Sequence, residues 1–321
     1  MEKSAISYFD RQILPVLKRD WATLLPEMSI QILGSVGLGI DDERSDLEAV
    51  IYLPEALWRR EGAGLQLAMD RCLRQYNPWQ RAGSILSVQP IGWALDGQGE
   101  TLLARPEAFA WEEASIPTLF TLQENLIYAD PSGRLTRLRQ ATAPARMPEP
   151  QWRRALLAEL EDLVDNTLPD LRKSAARGMT CEAQIHLGLV IESLLHVGFL
   201  IAHRYYPWRT HLRWAFDRLT GPVAEQAARV DALAEQADWP AKAAVAQEIF
   251  DAYRRIIAES GCLPGVDLDA ADLTNELIWA NRCQAWQNPD WRAFVAERER
   301  RAVAAGYPPE LFWVWSLWGE D

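Results

Sequence analysis

The sequence predicts an α+β protein with two domains, a mixed α/β domain over residues 1–143 and an all-helical domain over residues 150–321. In the first half, short β-branched segments alternate with helical patterns. Prolines then cluster between Gln140 and Pro150, where they break regular elements and stiffen the connection. Beyond them, apolar residues recur at the three-and-four spacing of amphipathic helices. A chain of 321 residues is long enough for two modest cores.

The first half contains helix and strand signals in alternation. Apolar residues at helical spacing predict a first helix, which Pro15 should bend. In order, we predict a helix over residues 5–22, a strand over 28–33, a Gly/Asp-rich loop over 34–45, a strand over 46–53, a helix over 55–76, and two strands over 85–93 and 100–104 joined by the turn Asp96–Gly99.

The second half has only helical signals, separated by Gly and Pro. We predict helices over residues 152–173, 181–204, 208–219, 223–237 and 241–259. They should form a bundle.

Composition restricts the classes of function. The apolar fraction of 49% and charged fraction of 24% are typical of a folded soluble protein, and no membrane span or secretory signal is expected. The net charge of −12 argues against broad nucleic-acid binding, which needs Lys and Arg to neutralise phosphates. The four cysteines are far apart, so we expect reduced thiols and a cytoplasmic protein. Association as a homodimer is left open.

The chain has fifteen tryptophans, and three of them, Trp313, Trp315 and Trp318, lie near the C-terminus. Because Trp is usually buried or at an interface, we expect this segment to dock onto the body of the protein. A partner-binding patch is the alternative.

The stretch with the clearest chemical meaning begins at Leu33-Gly34-Ser35 and continues to Ser45-Asp46-Leu47-Glu48-Ala49. A small Gly-Ser turn after a strand lets backbone N–H groups approach phosphate oxygens. On a strand, residues i and i+2 share a side, so Asp46 and Glu48 should point the same way while Leu47 faces the core. Paired carboxylates suit Mg²⁺, which prefers oxygen ligands and keeps substrate phosphates among them.

These residues resemble the motif of the polymerase-beta-like nucleotidyltransferase superfamily: a hydrophobic-Gly-Ser turn, a spacer, then two acids separated by one apolar residue. Ser45-Asp46-Leu47-Glu48 looks like the aminoglycoside-modifying branch that includes kanamycin nucleotidyltransferase. The wider layout, with the turn Tyr128–Leu135 and later Tyr205-Tyr206-Pro207-Trp208, is similar to uncharacterised bacterial members with a helical C-terminal domain.

The resemblance implies further site residues. A third metal-binding acid is expected on a neighbouring strand, and we assign it to Glu100, with Asp96 as the rival. Gly34, Ser35 and Ser45 should bind the nucleotide. Proton transfer from an acceptor hydroxyl needs a general base. The resemblance places that base on a helix after the sheet, where Asp165 is preferred to Glu161 and Asp162.

All four histidines (His186, His196, His203 and His211) lie in one stretch of the second half. No i, i+4 pair or nearby acid completes a metal site of the usual kind, so packing or substrate contacts are expected. Arg204 and His211 also fit a loose Arg-spacer-His pattern of ribonuclease-like helical domains, although Pro207 argues against a shared helix.

The function implied is Mg²⁺-dependent transfer of a nucleoside monophosphate from a nucleoside triphosphate to a hydroxyl of an unknown small molecule, protein or RNA. A catalytically inactive nucleotide-binding or regulatory protein of the same fold is one alternative. A toxin–antitoxin-like module with an RNA-directed helical half is the other.

Overall fold

The computed structural model describes residues 5–75, 84–285, 287 and 290–304. The chain forms two compact units. The first comprises Met1–Met147 together with Tyr205–His211, and the second comprises Pro148–Arg204 and Leu212–Asp321. The first boundary therefore falls inside the proline-containing segment, but residues 205–211, which we expected in the helical domain, belong to the first unit.

The first unit is built on a four-stranded mixed sheet with the order β3-β2-β1-β4. The strands are β1 (Ser29–Ile32), β2 (Glu48–Leu53), β3 (Ile85–Pro90) and β4 (Ile127–Ala129). β1 runs antiparallel to both β2 and β4, whereas β2 and β3 are parallel. The α+β class is confirmed.

One face of the sheet forms the core of this unit. Ile30, Ile32 and Ile51 are almost fully buried there, against apolar residues of the first helix and of helix Glu55–Gln75. Pro15 lacks an N–H, and a π-helical turn at Phe9–Ile13 comes directly before its helical segment. The predicted bend is thus an irregular turn within one continuous helical stretch.

Helix Glu55–Gln75 also covers the edge of the sheet at β3. Gln66 accepts a hydrogen bond from Val88 N (2.7 Å) and donates one to Leu86 O (2.8 Å). Trp58 Nε1 donates to Val88 O at 3.1 Å. Side chains thus satisfy the backbone groups that an exposed edge would leave open to pairing with another chain.

The remaining elements of the first unit are short. They include helices Ala5–Tyr8, Leu14–Asp20, Gly34–Gly37, Ala94–Gly97, Gly99–Ala104, Ile116–Glu124 and Arg134–Ala141, and 3₁₀ turns at Leu25–Glu27, Ile91–Trp93, Pro106–Ala108, Trp111–Glu113 and Pro144–Arg146.

The predicted hairpin over residues 85–104 is wrong beyond Pro90. Residues 100–104 are helical, and Leu95 and Asp96 have positive φ angles. Asp96 accepts hydrogen bonds from Ser115 N (2.8 Å) and Thr118 Oγ1 (3.1 Å), at the start of helix Ile116–Glu124. The carboxylate of Asp96, predicted in a β-turn, therefore accepts hydrogen bonds from the first turn of another helix.

All regular elements in the described part of the second unit are helices, as predicted. Its helices are Glu149–Asp162, Leu168–Ala176, Thr180–Ile201, Ala227–Glu235, Trp239–Ser260, Leu273–Arg282 and Trp291–Ala304, with a π-helical turn at Leu163–Thr167 and a 3₁₀ turn at Ala224–Gln226. Helix Arg209–Phe216 begins in the 205–211 segment and continues into this unit.

Local sequence explains where these helices end. Asp238 caps helix Trp239–Ser260 by accepting from Ala241 N at 3.0 Å, and Gly261 ends it with φ +65°. Helix Thr180–Ile201 packs against Leu168–Ala176 and Trp239–Ser260. By length and composition alone it could cross a membrane, a criterion that core helices of soluble proteins also meet.

The predictions for Trp313, Trp315 and Trp318, and for the helix end at Tyr76, lie outside the described residues. All four cysteines are free thiols.

Candidate functional site

The Gly-Ser turn directly follows β1. Gly34–Gly37 form one helical turn, and Gly34 has φ +60°, a conformation that side chains with a Cβ rarely adopt. Leu33 N donates to Glu48 O at 2.8 Å, which ties the end of β1 to the start of β2. The turn and the acidic motif are therefore held together by the sheet ladder.

Glu48 lies directly against this turn. A Cβ placed on Gly34 would be 2.7 Å from Oε2 of Glu48, so a larger residue here would force the end of the Glu48 side chain to shift. Glu48 is the first residue of β2 and is half-buried, whereas its neighbours Leu47 and Ala49 are each 1% exposed. This is the alternation predicted from the sequence.

Asp46 precedes β2 by two residues, so the strand begins later than expected. It too is half-buried. The pKa of Glu48 is raised, first by burial and second by the negative charge of Asp46. The two carboxylates are thus close enough to repel each other, an arrangement that a bound cation would relieve.

The two serines of the motif differ in their surroundings. Ser35 is half-buried within the helical turn. The Ser45 hydroxyl accepts from Asp42 N (2.9 Å) and bonds Asp42 Oδ1 (3.1 Å), so it closes the loop that leads into Asp46. Ser45 thus closes this loop, and within the Gly-Ser turn it is Gly34 that lies next to Glu48.

A cavity of about 370 Å³ opens beside Gly34 and Glu48. Its walls come from three stretches of the first unit. They are the β1 turn and β2 (Leu33, Gly34, Leu38 and Glu48), the end of helix Ile116–Glu124 (Phe120, Thr121 and Asn125), and the 205–211 segment (Pro207, Trp208, Thr210 and His211).

Asn125 is a buried polar residue of this wall, with 4% of its surface exposed. Its Nδ2 donates to Thr121 O at 3.2 Å. Its Oδ1 has no hydrogen-bond partner within the part of the chain that the structure describes. A buried acceptor without a donor costs about 1–3 kcal/mol, and this one lies against Gly37 behind the cavity wall.

His211 brings an imidazole to the same cavity. Its backbone N–H bonds Trp208 O at 3.1 Å, which places the residue in the first turn of helix Arg209–Phe216. Burial lowers its side-chain pKa, and no neighbouring charge contributes to the shift. The imidazole is therefore neutral at pH 7.

Two of the other histidines, His196 and His203, contact neighbouring side chains. His196 Nδ1 lies 3.1 Å from Glu159 Oε1, and the ring of His203 stacks on Trp152 with centroids 5.1 Å apart. Arg204 precedes helix Arg209–Phe216, so it does not share that helix with His211.

Glu100 is not brought to the acidic pair. Its Cβ lies beside Gly92, just beyond Pro90 at the end of β3. Pro90 pairs with Leu53, whereas Glu48 pairs with Ile85 at the other end of the ladder. At about 3.3 Å per residue the two ends are about 16 Å apart. The assignment of Glu100 as a third ligand beside Asp46 and Glu48 is therefore corrected: the expected strand is a helix at the far end of the sheet.

Asp165 is also outside the cavity lining. It lies in the π-helical turn Leu163–Thr167 of the second unit, on the exposed side. Asp96, the rival third acid, is engaged with Ser115 and Thr118.

The donor set at Asp46 and Glu48 fits magnesium. Among the residues described, no group of three or more His, Cys, Asp or Glu side chains is arranged to hold a metal. Mg²⁺ needs fewer protein ligands than that, because it is usually bound by one or two carboxylates together with substrate phosphates and water. Two mutually repelling carboxylates beside a glycine turn meet this requirement.

Sequence reasoning missed the second wall of the cavity. Asn125 and His211 are far from the Gly-Ser motif in the chain, and no local pattern indicates that either returns to it. Trp208 was noted only within the Tyr205–Trp208 stretch, although it is 62% exposed on this wall.

The chain is similar to a solved structure and, over part of its length, to a family model. A search of the curated proteins gave no match. A crystal structure of a nucleotidyltransferase-like protein from Exiguobacterium sibiricum 255-15 is similar at 13% identity over 91% of each chain, with a TM-score of 0.39. A family model described as a domain of unknown function, DUF4037, matches residues 111–215, a range that includes Asn125, Trp208 and His211.

Proposed function

We propose that the first unit transfers a nucleoside monophosphate from a Mg²⁺-bound nucleoside triphosphate to a hydroxyl of an acceptor molecule. The observation that carries this proposal is the contact between Gly34 and the Glu48 carboxylate, with the charge of Asp46 beside it. Such a transfer requires a phosphate-binding turn and acids that hold a metal; Gly34 and Glu48 line the cavity, and Asp46 is two residues before Glu48 but outside the lining.

Each part of the motif would have its own role in this reaction. Asp46 and Glu48 would hold the metal, which would neutralise charge on the transferring phosphate. The Gly34-Ser35 turn presents N–H groups that have no acceptor within a helix, because the first N–H groups of any helical turn lack one. Gly34 lets phosphate oxygens approach these donors closely. The acceptor molecule would then bind in the rest of the cavity.

The test is transfer of label from each of four α-³²P-labelled nucleoside triphosphates, with MgCl₂ and a panel of hydroxyl acceptors, using the full chain. Asp46→Asn and Glu48→Gln should each lower transfer by at least ~100-fold, since metal stabilisation is worth several kcal/mol. Asp41→Asn is the matched control, because it removes an exposed acid of the same loop. It should leave transfer unchanged.

Two other outcomes would redirect the proposal. Mg²⁺-dependent nucleotide binding without transfer would favour a regulatory protein of this fold. RNA loss that requires His211 but not Asp46 would favour the ribonuclease alternative.

A further inference from the structure

The cavity has two chemically different sides. Gly34 and Glu48 form the side that the proposed function assigns to metal and phosphate. The rest of the lining comes from the 205–211 segment and the end of helix Ile116–Glu124, and it includes the exposed indole of Trp208, Thr121, Thr210 and the imidazole of His211.

His211 has the properties of a proton acceptor. Its side chain is half-buried and neutral, and burial alone accounts for the change in its pKa. Of the residues that line the cavity, Glu48 and His211 are the two that titrate between acidic and neutral pH. If Glu48 holds metal, His211 is the lining group left to take a proton.

The position of His211 supports this role, because its half-buried side chain lines the same cavity as Gly34 and Glu48.

We infer that His211 is the general base of the proposed transfer, accepting the proton of the acceptor hydroxyl. In this step the hydroxyl oxygen forms a bond to the α-phosphorus as its O–H bond breaks. The bond from the α-phosphorus to the bridging oxygen breaks, and pyrophosphate leaves with that electron pair. The proton moves to the free ring nitrogen of His211 and then to solvent. This inference rests on the proposed function.

The experiment compares His211→Ala and His211→Gln with the wild-type chain. Pyrophosphate release from each nucleoside triphosphate with MgCl₂ is measured, with water and with a panel of sugars and alcohols as acceptors. Binding of the same Mg²⁺–nucleotides is measured separately. His203→Ala is the matched control, since His203 stacks on Trp152 in the second unit.

Both His211 variants should lose about 10²- to 10⁴-fold in kcat, the usual contribution of a general base. Nucleotide binding should be unchanged, and added imidazole should restore part of the rate in His211→Ala. In the wild type, kcat should fall at acidic pH as the imidazole becomes protonated, and in both variants only the fall caused by protonation of Glu48 should remain. His211→Gln fills the site and guards against loss of fold, which thermal melting checks.

Three results would overturn the inference. Full activity of folded His211→Ala, with Asp46→Asn inactive, would remove His211 from the reaction and leave the proposed function standing. Loss of nucleotide binding in both folded variants would assign His211 to nucleotide binding instead. Absence of pyrophosphate release from the wild type would overturn the proposed function together with the inference.

Discussion

The Cα atom of Gly34 lies against the carboxylate of Glu48, so closely that a methyl group there would sit 2.7 Å from Oε2. The turn that should receive phosphate and the acid that should hold metal therefore occupy one packed contact. A residue with a Cβ at position 34 has to displace one of the two.

Gly34→Ala should consequently damage function more than stability. The positive φ makes alanine unfavourable by about 1–2 kcal/mol, and the shifted carboxylate should lower nucleotidyl transfer about 100-fold. Gly39→Ala is the matched control, because Gly39 also has positive φ but has nothing within 4 Å of a Cβ. It should melt like Gly34→Ala while keeping activity. Equal activity of the two variants would contradict the importance of the contact.

Glu48→Gln should make the protein more stable at pH 7 while abolishing transfer. Burial and the charge of Asp46 raise the pKa of Glu48, so ionisation is less favourable in the folded than in the unfolded chain. The resulting loss of folding stability is absent below the ordinary pKa of 4.5 and complete above the raised pKa of Glu48 in the folded chain. The melting temperature of the variant should exceed that of the wild type at pH 7 and match it near pH 4.

Magnesium gives the complementary measurement on the same pair of proteins. MgCl₂ should raise the melting temperature of the wild type at pH 7, because bound cation offsets the repulsion between Asp46 and Glu48. The rise should be lost in Glu48→Gln. A variant that melts below the wild type at pH 7 without magnesium would show that Glu48 is not held in a repulsive site.

Asp130→Ala should destabilise the first unit in a pH-dependent way. The carboxylate accepts from Ser29 Oγ (2.6 Å), Thr136 N (2.8 Å) and Leu135 N (3.3 Å), so its loss should cost about 1–3 kcal/mol at pH 7. Burial pushes the pKa of Asp130 upward, but these hydrogen bonds together lower it below 3.8.

The sign of the pH effect follows from the lowered pKa of Asp130. Its contribution is complete above the ordinary value of 3.8 and is lost as pH falls through the lower folded value. Denaturant titrations should therefore show the gap between wild type and variant narrowing below about pH 4. A constant gap would mean that the carboxylate charge is not what stabilises the turn.

Two buried tyrosines should respond oppositely to loss of the hydroxyl. Tyr205 donates to Thr142 O at 3.0 Å, so Tyr205→Phe should cost about 1–2 kcal/mol. Tyr253 is fully buried, and its hydroxyl has no partner among the described residues, so Tyr253→Phe should be neutral or stabilising by up to about 1 kcal/mol. Chemical denaturation measures the free energy of unfolding of both variants. Similar losses of unfolding free energy would show that Tyr253 is hydrogen-bonded.

Local signals were sufficient for the elements around the acidic motif. β1, β2 and helix Glu55–Gln75 follow from alternation, β-branched content and helical spacing, each contained in a few residues. The contact of Glu48 with the Gly-Ser turn follows from the same alternation. Burial of Leu47 and Ala49 leaves Glu48 on the other side of the strand.

Tertiary contacts decided the elements that the sequence did not predict. Leu102-Leu103 suits a strand or a helix equally. The turn before them has positive φ angles at Leu95 and Asp96, and Asp96 accepts hydrogen bonds from the distant residues Ser115 and Thr118. β4 is only three residues long, too short for a periodic pattern. The wall that carries His211 depends on chain return across residues 148–204, and no spacing rule describes this.

The return of the chain to the first unit at residues 205–211 limits how the protein could be cut into fragments. A gene fragment ending at Met147 would encode all four strands of the described residues and the whole acidic motif, yet its product would lack the part of the cavity lining that residues 207–211 supply. The helices between these two stretches belong to the second unit, so neither unit is continuous in the sequence. Recombination that exchanged only the sequence before residue 148 would separate Gly34 and Glu48 from the later residues that line the same cavity.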